Sequence, residues 1–314
     1  LFGAESQFKA YGIWYPIVIP LFLQSPLGFF GAVVWNYVET NKERQHIRKA
    51  LAYYVPDEVV DQLAKNIVDI KHSGHEVYGA CLFADVAGYT TLSEKMTPQE
   101  LSALMHKYFE ATFEPVKKHG GIVVNLKGAS FLAIWKATRA EEGLRRQACL
   151  AALDVAKAVH RFNGSYENLN LPTRVGVHSG QIFLGNIGAG DHYEYGPKGD
   201  TVNTASRMDG LNKYLGTEVL ASEEIVAQIN GVLTREVGKF MLKGKAQPMV
   251  VHELLGRIEE ANEKTTKSCE MLASALATFR RQSWDEAAEK FLDLLKYSDT
   301  DGPARFYLKY CEEY

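Results

Sequence analysis

Cysteine is scarce in this chain and carries no pattern. Cys81, Cys149, Cys269 and Cys311 form no CxxC step and no metal-ligand spacing. That excludes a disulfide scaffold and reads as free thiols in a reducing cytoplasm. An excess of positive charge is also missing. The chain's 35 Lys and Arg against 38 Asp and Glu give a net charge of −3, which implies no nucleic-acid partner. Between residues 10 and 38 charge is absent altogether.

What fills that uncharged stretch is almost wholly apolar, and it is longer than the roughly 20 residues a helix needs to cross a bilayer. Trp14, Tyr15, Trp35 and Tyr37 stand near its two ends, where aromatic belts belong. Lys42, Arg44, Arg48 and Lys49 follow, which the positive-inside tendency assigns to the cytoplasm. The expectation is a transmembrane segment over residues 1–40, in contact with membrane lipid. Pro16, Pro20 and Pro26 kink that helix or mark a hairpin. A signal peptide fits less well, because the run is too long and its basic flank lies on the wrong side. The chain opens on Leu1 without a Met and reads as the C-terminal part of something larger.

Residues 41–74 read as a signalling helix with Ile47, Leu51, Tyr54 and Val55 on one face, restarting at Pro56 and continuing through Val59, Leu63 and Ile67. Such a stripe serves a parallel dimeric coil or packing on the chain's own domain. From residue 75 to 256 strand and helix signals alternate, so the fold class is α+β, an α/β sandwich. Thr97-Pro98-Gln99-Glu100 is a capping box with proline at the first helical position. Residues 174–178 and 181–184 read as two strands joined by a turn at Ser179-Gly180, followed by a polar arm over residues 188–198 and a helix over 200–215. Residues 257–314 read as helical. Trp284 and the Ala-x3-Phe spacing of Ala287 and Phe291 resemble a single tetratricopeptide-like hairpin, which cannot bury its own faces and must dock on the catalytic domain or on a dimer mate.

One stretch organises the rest: Leu82-Phe83-Ala84-Asp85-Val86-Ala87-Gly88-Tyr89-Thr90. An apolar run delivers one carboxylate, Asp85, to the end of a strand, and Ala87-Gly88 turns the chain into a helix. A strand ending on a carboxylate beside a helix N-terminus can hold a hard cation and point amides at phosphate oxygens. Alone, the same pattern equally describes an Asp capping a turn.

Three further motifs follow in order: Arg174-Val175-Gly176-Val177-His178-Ser179-Gly180, then Gly199-Asp200-Thr201-Val202-Asn203-Thr204-Ala205-Ser206-Arg207, then Leu242-Lys243-Gly244-Lys245. Together with the Asp85 motif they resemble the class III adenylate/guanylate cyclase catalytic domain, of the bacterial membrane-bound receptor type. The resemblance implies a ferredoxin-like sheet with flanking helices, and a homodimer whose two subunits share each site. It implies ATP as substrate and two Mg²⁺ or Mn²⁺ ions as cofactors. By the same resemblance Asp85 ligates both metals with help from the Val86 carbonyl, and amides from Ala87, Gly88, Tyr89 and Thr90 cradle phosphate. Asn203 orients the ribose, Arg207 stabilises charge on the α-phosphate, and Lys243 meets the outer phosphates. Asn203 and Arg207 lie four apart and share a helix face. The implied reaction converts ATP to 3′,5′-cyclic AMP and pyrophosphate at a bacterial inner membrane, with the catalytic domain cytoplasmic.

The chain departs from the family's pattern at three positions. The second metal carboxylate should stand where Gly128-Ala129 stands, and alanine has no oxygen to offer. Losing that ligand costs several kcal/mol of transition-state stabilisation, so the expectation is a nearly inactive chain that still binds nucleotide. An Asp-to-Ala change made to trap substrate is the favoured origin, a silenced domain the alternative. The base-selecting positions align with Asn125, or Lys127 if the hairpin slips by two, and with Gly196. Neither votes for guanine, so guanylate cyclase and a silent nucleotide-binding regulator remain the competing readings.

Overall fold

The computed structural model describes residues 2–12, 20–52, 74–166, 169–189 and 192–313. The chain divides into two compact units, Leu1–Ile67 and Val68–Tyr314, taken separately here.

The first unit holds helix α1 (Phe2–Tyr11), a π turn at Pro20–Gln24, and helix α2 (Ser25–Ala52). Among the described residues no helix is long and apolar enough to cross a membrane, so the expected transmembrane segment is not seen there. Gly12 (φ +68°) follows directly on α1, and the π turn divides the apolar run again. The uncharged part of α2, residues 25–38, is about 21 Å long at 1.5 Å per residue, short of a ~30 Å hydrocarbon core. Phe29, Phe30, Val33, Trp35 and Tyr37 of this helix are exposed. Trp14, Tyr15, Pro16 and the expected helix beyond residue 52 lie outside the described residues.

The second unit is built on an eight-stranded mixed sheet. Its path runs β2 (Ile122–Lys127), β3 (Ser130–Ala137), β1 (Gly74–Val86), β4 (Thr173–Ala189), β6 (Val219–Ser222), β8 (Met249–Arg257), β7 (Val232–Phe240), with β5 (His192–Lys198) paired to β4 alone. All pairings are antiparallel except β4 with β6. β1 is central and buried on both faces, which is why its sequence is a continuous apolar run instead of an alternation. Its even residues Ala80, Leu82 and Ala84 pack under helix α5 (Glu142–Gly164), and its odd residues Cys81 and Phe83 face helix α6 (Asp200–Leu215).

Helix α3 (Tyr89–Lys95) starts straight after Gly88, whose left-handed φ of +77° turns the chain out of β1. Helix α4 (Pro98–Lys118) opens on the expected capping box, with Thr97 and Glu100 reciprocally bonded. The expected turn at Ser179-Gly180 is corrected. Those residues pair with Ala80 and Gly79, so β4 runs unbroken for 17 residues. Ser-Gly signals a turn only where the backbone has no ladder partner, and here the long β1 supplies one.

Helix α7 (Glu223–Val226) follows β6 as a single turn. The C-terminal segment forms three helices, α8 (Glu263–Arg280), α9 (Trp284–Tyr297) and α10 (Gly302–Glu313). They share one core with the sheet and α6, in which Leu272, Phe291, Leu294 and Tyr307 meet Met208, Leu215, Val237 and Val251.

Candidate active site

Asp85 stands on β1 one step past the Ala84–Phe131 pair, on the odd face turned toward α6. It is half-buried. Burial raises its carboxyl above the ordinary range, against a hydrogen bond at Val86 and the Arg174 charge, which lower it. Arg174 is its cross-strand partner on β4. Val86 is buried beside Ala129, Tyr108 and Leu104. The Ala87 amide donates to the Pro172 carbonyl at 2.8 Å, so it is not free for phosphate. The unpaired amides of the first α3 turn therefore begin beyond it, at Tyr89 and Thr90.

The hairpin of β2 and β3 closes through Lys127↔Ser130, with Gly128 at φ +62° and Ala129 only 3% exposed. The Ala129 methyl lies in the same apolar cluster as Val86, at the Asp85 end of the sheet. Where the resemblance expects a carboxylate, the fold supplies a buried methyl.

Asn203 and Arg207 share one face of α6 as their spacing requires. Asn203 is exposed. Arg207 reaches under the β7–β8 loop, where a Cβ on Gly244 would lie 3.1 Å from its Nη2. Its Nη1 is buried and has no hydrogen-bond partner. Lys243 is exposed on that loop, and the neighbouring Lys245 pairs with Asp200 at the start of α6. Buried guanidinium nitrogens are rarely left unpaired, so this one is a donor waiting for an acceptor.

The two positions that the resemblance assigns to base selection lie on β2 and β5, which meet at Asn125 and Glu194. Asn125 Nδ2 donates to Glu194 Oε1 of β5 at 3.0 Å, and Gly196 lies two residues further along β5 with open space where a side chain would stand. A β-bulge between Val123 and Asn125 resets the β2 register. Lys127 sits at the hairpin turn, its carbonyl accepting from Ser130 Oγ. Asp191, at the tip of the arm, lies outside the described residues.

The Arg174 charge acts on Asp85, and the Asp85 charge in turn acts on Asp209 of α6. Asp209, two residues past Arg207, was not singled out from the sequence. Burial and then the Asp85 charge push its carboxyl up to about 7, against Arg174, and its Oδ1 is buried without a partner. Only its place in a motif helix pointed to it. Glu194, beside Asn125, was read only as part of the arm. His178 is structural: its Nδ1 bonds Ser222 Oγ at 2.6 Å, and burial pushes its pKa down to about 4.

Among the described residues no group of three or more His, Cys, Asp or Glu converges on a metal position. One carboxylate at Asp85 and one carbonyl at Val86 are nonetheless hard oxygen donors. They fit a Mg²⁺-like ion held in large part by a nucleotide's own phosphates.

The family model for the adenylate and guanylate cyclase catalytic domain matches residues 75–256, more than half of the chain. The chain belongs to that family. It is 34% identical over 218 residues to adenylate cyclase 1 of Rhizobium meliloti (strain 1021), covering 67% of this chain and 32% of that protein. It is 27% identical over 184 residues to the adenylate cyclase of Anabaena cylindrica, covering 55% of this chain and 36% of the relative. The chain thus spans about a third of the length of these relatives. Among solved structures, the adenylyl cyclase CyaB from P. aeruginosa superimposes with a TM-score of 0.52 at 19% identity, over 60% of this chain and 100% of that one. The guanylyl cyclase Cya2 does so with a TM-score of 0.51 at 23% identity, over 60% and 97%. Both likenesses establish the fold. Cyclase domains of this family bind a nucleotide, act as dimers and use divalent metals.

Proposed function

We propose that residues 75–256 are the catalytic half-site donor of a homodimeric adenylate cyclase, converting ATP to 3′,5′-cyclic AMP and pyrophosphate, and that Ala129 leaves this chain nearly inactive. The observation that carries the reading is the unpaired, buried Arg207 Nη1 on the helix face of Asn203. The ribose 3′-oxygen attacks the α-phosphorus as the bond to pyrophosphate breaks. Arg207, from the mate of the subunit that supplies Asp85, donates to the α-phosphate oxygens, where negative charge grows in the transition state. Asn203 fixes the ribose so that its 3′-oxygen lies in line, and Lys243 meets the outer phosphates as a point charge. Asp85 and the Val86 carbonyl would hold a divalent cation, Mg²⁺ or Mn²⁺, which would supply charge neutralisation at the phosphates and acidify the 3′-hydroxyl. With Ala129 in place, Asp85 is the one shared carboxylate of what would be a two-ion site.

Two other readings each have an observation in their favour. The Glu194 carboxylate beside Asn125 is an acceptor suited to the N–H groups of guanine, which favours a guanylate cyclase. The apolar seat of Ala129 favours a silent nucleotide-binding regulator. Cyclic nucleotide production from ATP and from GTP with Mn²⁺, for this chain and for Ala129→Asp, separates the three. Turnover of ATP by the Asp variant alone supports the proposal. Turnover of GTP alone moves it to guanylate cyclase. Nucleotide binding without turnover in either chain leaves the regulator.

The exposed apolar side chains of α2 motivate a location at the lipid of a bacterial inner membrane, with the catalytic domain in the cytoplasm. Release of the chain from membranes by alkaline carbonate without detergent would remove that placement.

A further inference from the structure

The C-terminal helices do more than cover the rim of the sheet; they reach the helix that carries Asn203 and Arg207. Gly302, the first residue of α10, seats directly on the last turn of α6. A Cβ there would lie 2.1 Å from the Leu215 carbonyl oxygen and 2.7 Å from that of Gly216. Backbone meets backbone, with no side chain between to absorb a shift. The preceding residue, Asp301, is 5% exposed and pinned from two sides. Its Oδ2 accepts from Arg235 Nη1 of β7 at 2.5 Å, and its Oδ1 accepts from the Ala304 amide at 3.0 Å. Arg235 in turn holds Glu253 of β8 at 2.7 Å. One turn on, Tyr307 Oη donates to the Val237 carbonyl at 2.9 Å.

The same helices share a core with α6 itself. Met208, adjacent to Arg207, and Leu215 pack with Leu272, Phe291, Leu294 and Tyr307. At its other face α6 is held to β4, where Asn212 Nδ2 donates to the Val175 carbonyl at 2.9 Å. α6 is therefore clamped between β4 and the C-terminal helices, its last turn also closed by the Gly216 cap and Thr217. Interiors packed at this density transmit displacement along a helix; they do not absorb it.

We infer that the three C-terminal helices are a positioning element for the catalytic face of α6, with Gly302 and Asp301 as the positioning residues that set where Asn203 and Arg207 stand. The inference rests on the cyclase reading for its effect on turnover, but not for the mechanical coupling.

The test uses the full chain and two substitutions, Gly302→Ala and Asp301→Asn. Amide hydrogen exchange is followed over residues 200–215, and kcat and KM for Mn²⁺–ATP are measured in chains that also carry Ala129→Asp. The expected result is exchange in α6 about tenfold faster, with β1 and β4 unchanged, and kcat down about tenfold while KM stays within about twofold. A KM-neutral loss of kcat is what displaced Arg207 would give, since its contact strengthens only in the transition state. Faster exchange in α8 to α10 with α6 and kcat unchanged would overturn the inference. If Gly302→Ala loses protection in β1 and β4 as well, it has unfolded, and Asp301→Asn, which leaves the glycine seat intact, decides by the same readouts. If the Ala129→Asp parent makes no cyclic nucleotide, the cyclase reading fails, and exchange in α6 alone decides the coupling.

Discussion

Two buried charge clusters lie in the same domain and are built on opposite terms. At the rim, Arg235, Glu253 and Asp301 form a closed set: the guanidinium meets both carboxylates at 2.5 to 2.8 Å, and the second Asp301 oxygen caps α10. At the site, Asp85, Arg174 and Asp209 act on one another, Arg207 stands two residues before Asp209 on α6, and these groups are left open. Asp209 Oδ1 and Arg207 Nη1 are buried without partners. Folding selects for closed polar sets, because each orphaned buried group costs about 1–3 kcal/mol. Arg145 Nε, Thr204 Oγ1 and both ring nitrogens of His252 are buried without partners as well, so it is the clustering of opposite charges beside the Asp85 strand end that marks this set as held for something that arrives later. The difference separates the charges that hold this domain together from those kept for a ligand.

The largest test closes the open set from within. Restoring the carboxylate with Ala129→Asp is expected to raise cyclic AMP formation by about a thousandfold, a loss of ~4 kcal/mol from the barrier. It should also lower thermal stability, since residue 129 lies among apolar groups. Adding Arg207→Ala to that chain should remove the gained activity and leave the melting temperature nearly unchanged, because Arg207 Nη1 has no partner to lose. A large drop in stability from Arg207→Ala would erase the distinction between the clusters.

The next test opens the closed set. Asp301→Ala strips Arg235 of one carboxylate and α10 of its cap. A loss of about 4 kcal/mol is expected in urea denaturation, within the range for breaking a buried pair. Replacing all three members with apolar residues of similar volume should cost much less, because it leaves no charge orphaned. If the single change were the milder one, the rim cluster would not be the closed structural set its geometry describes.

The sequence carried the open cluster better than the closed one. Asp85, Asn203, Arg207 and Lys243 sit in short motifs, and their spacing is local: a strand end, a helix face, a turn. Arg235, Glu253 and Asp301 are separated by up to 66 residues and join only when α10 folds back, so no local pattern marks them. The same limit explains the Ser179-Gly180 turn, which was read from two residues and overruled by the long β1 ladder. It also explains why the C-terminal segment read as one hairpin that must dock on the catalytic domain or on a dimer mate, without saying where. Its amphipathic faces were legible, but not the sheet rim and α6 that they cover. The apolar run near the N-terminus was legible as composition, and Pro20 marked a break where the π turn begins, while the break at Gly12 was not legible.

A third buried polar pair tests whether closure alone is enough. His178 is bonded by Ser222 and lies near Glu224, yet burial holds its pKa down at about 4. Its unfolded value is near 6.5. The unfolded chain therefore takes up a proton first as the pH falls. Full stability is present above about 6.5 and declines down to about 4, by roughly 3 kcal/mol in all. His178→Gln keeps a polar partner for Ser222 and should flatten that slope in urea midpoints measured between pH 7 and pH 4.5. An unchanged slope would assign the acid sensitivity to other groups.

The smallest effect belongs to a pair that is closed but stands at the solvent edge. Asp154 takes both Arg257 nitrogens at 2.9 Å and His119 Nε2 at 2.8 Å. Burial works to raise its carboxyl, but these partners reverse that and hold it at about 2. The folded value lies below the unfolded one, so the pair's contribution is complete above about pH 4 and fades as the pH falls through about 2. Water screens it, and Arg257→Leu should cost only about 1 kcal/mol at pH 7. That is far less than Asp301→Ala, although both changes break an Arg–Asp pair of similar length. Equal losses for the two would mean that hydrogen-bond closure alone, and not burial, sets the strength of these clusters. The expected gap between them assigns it to burial.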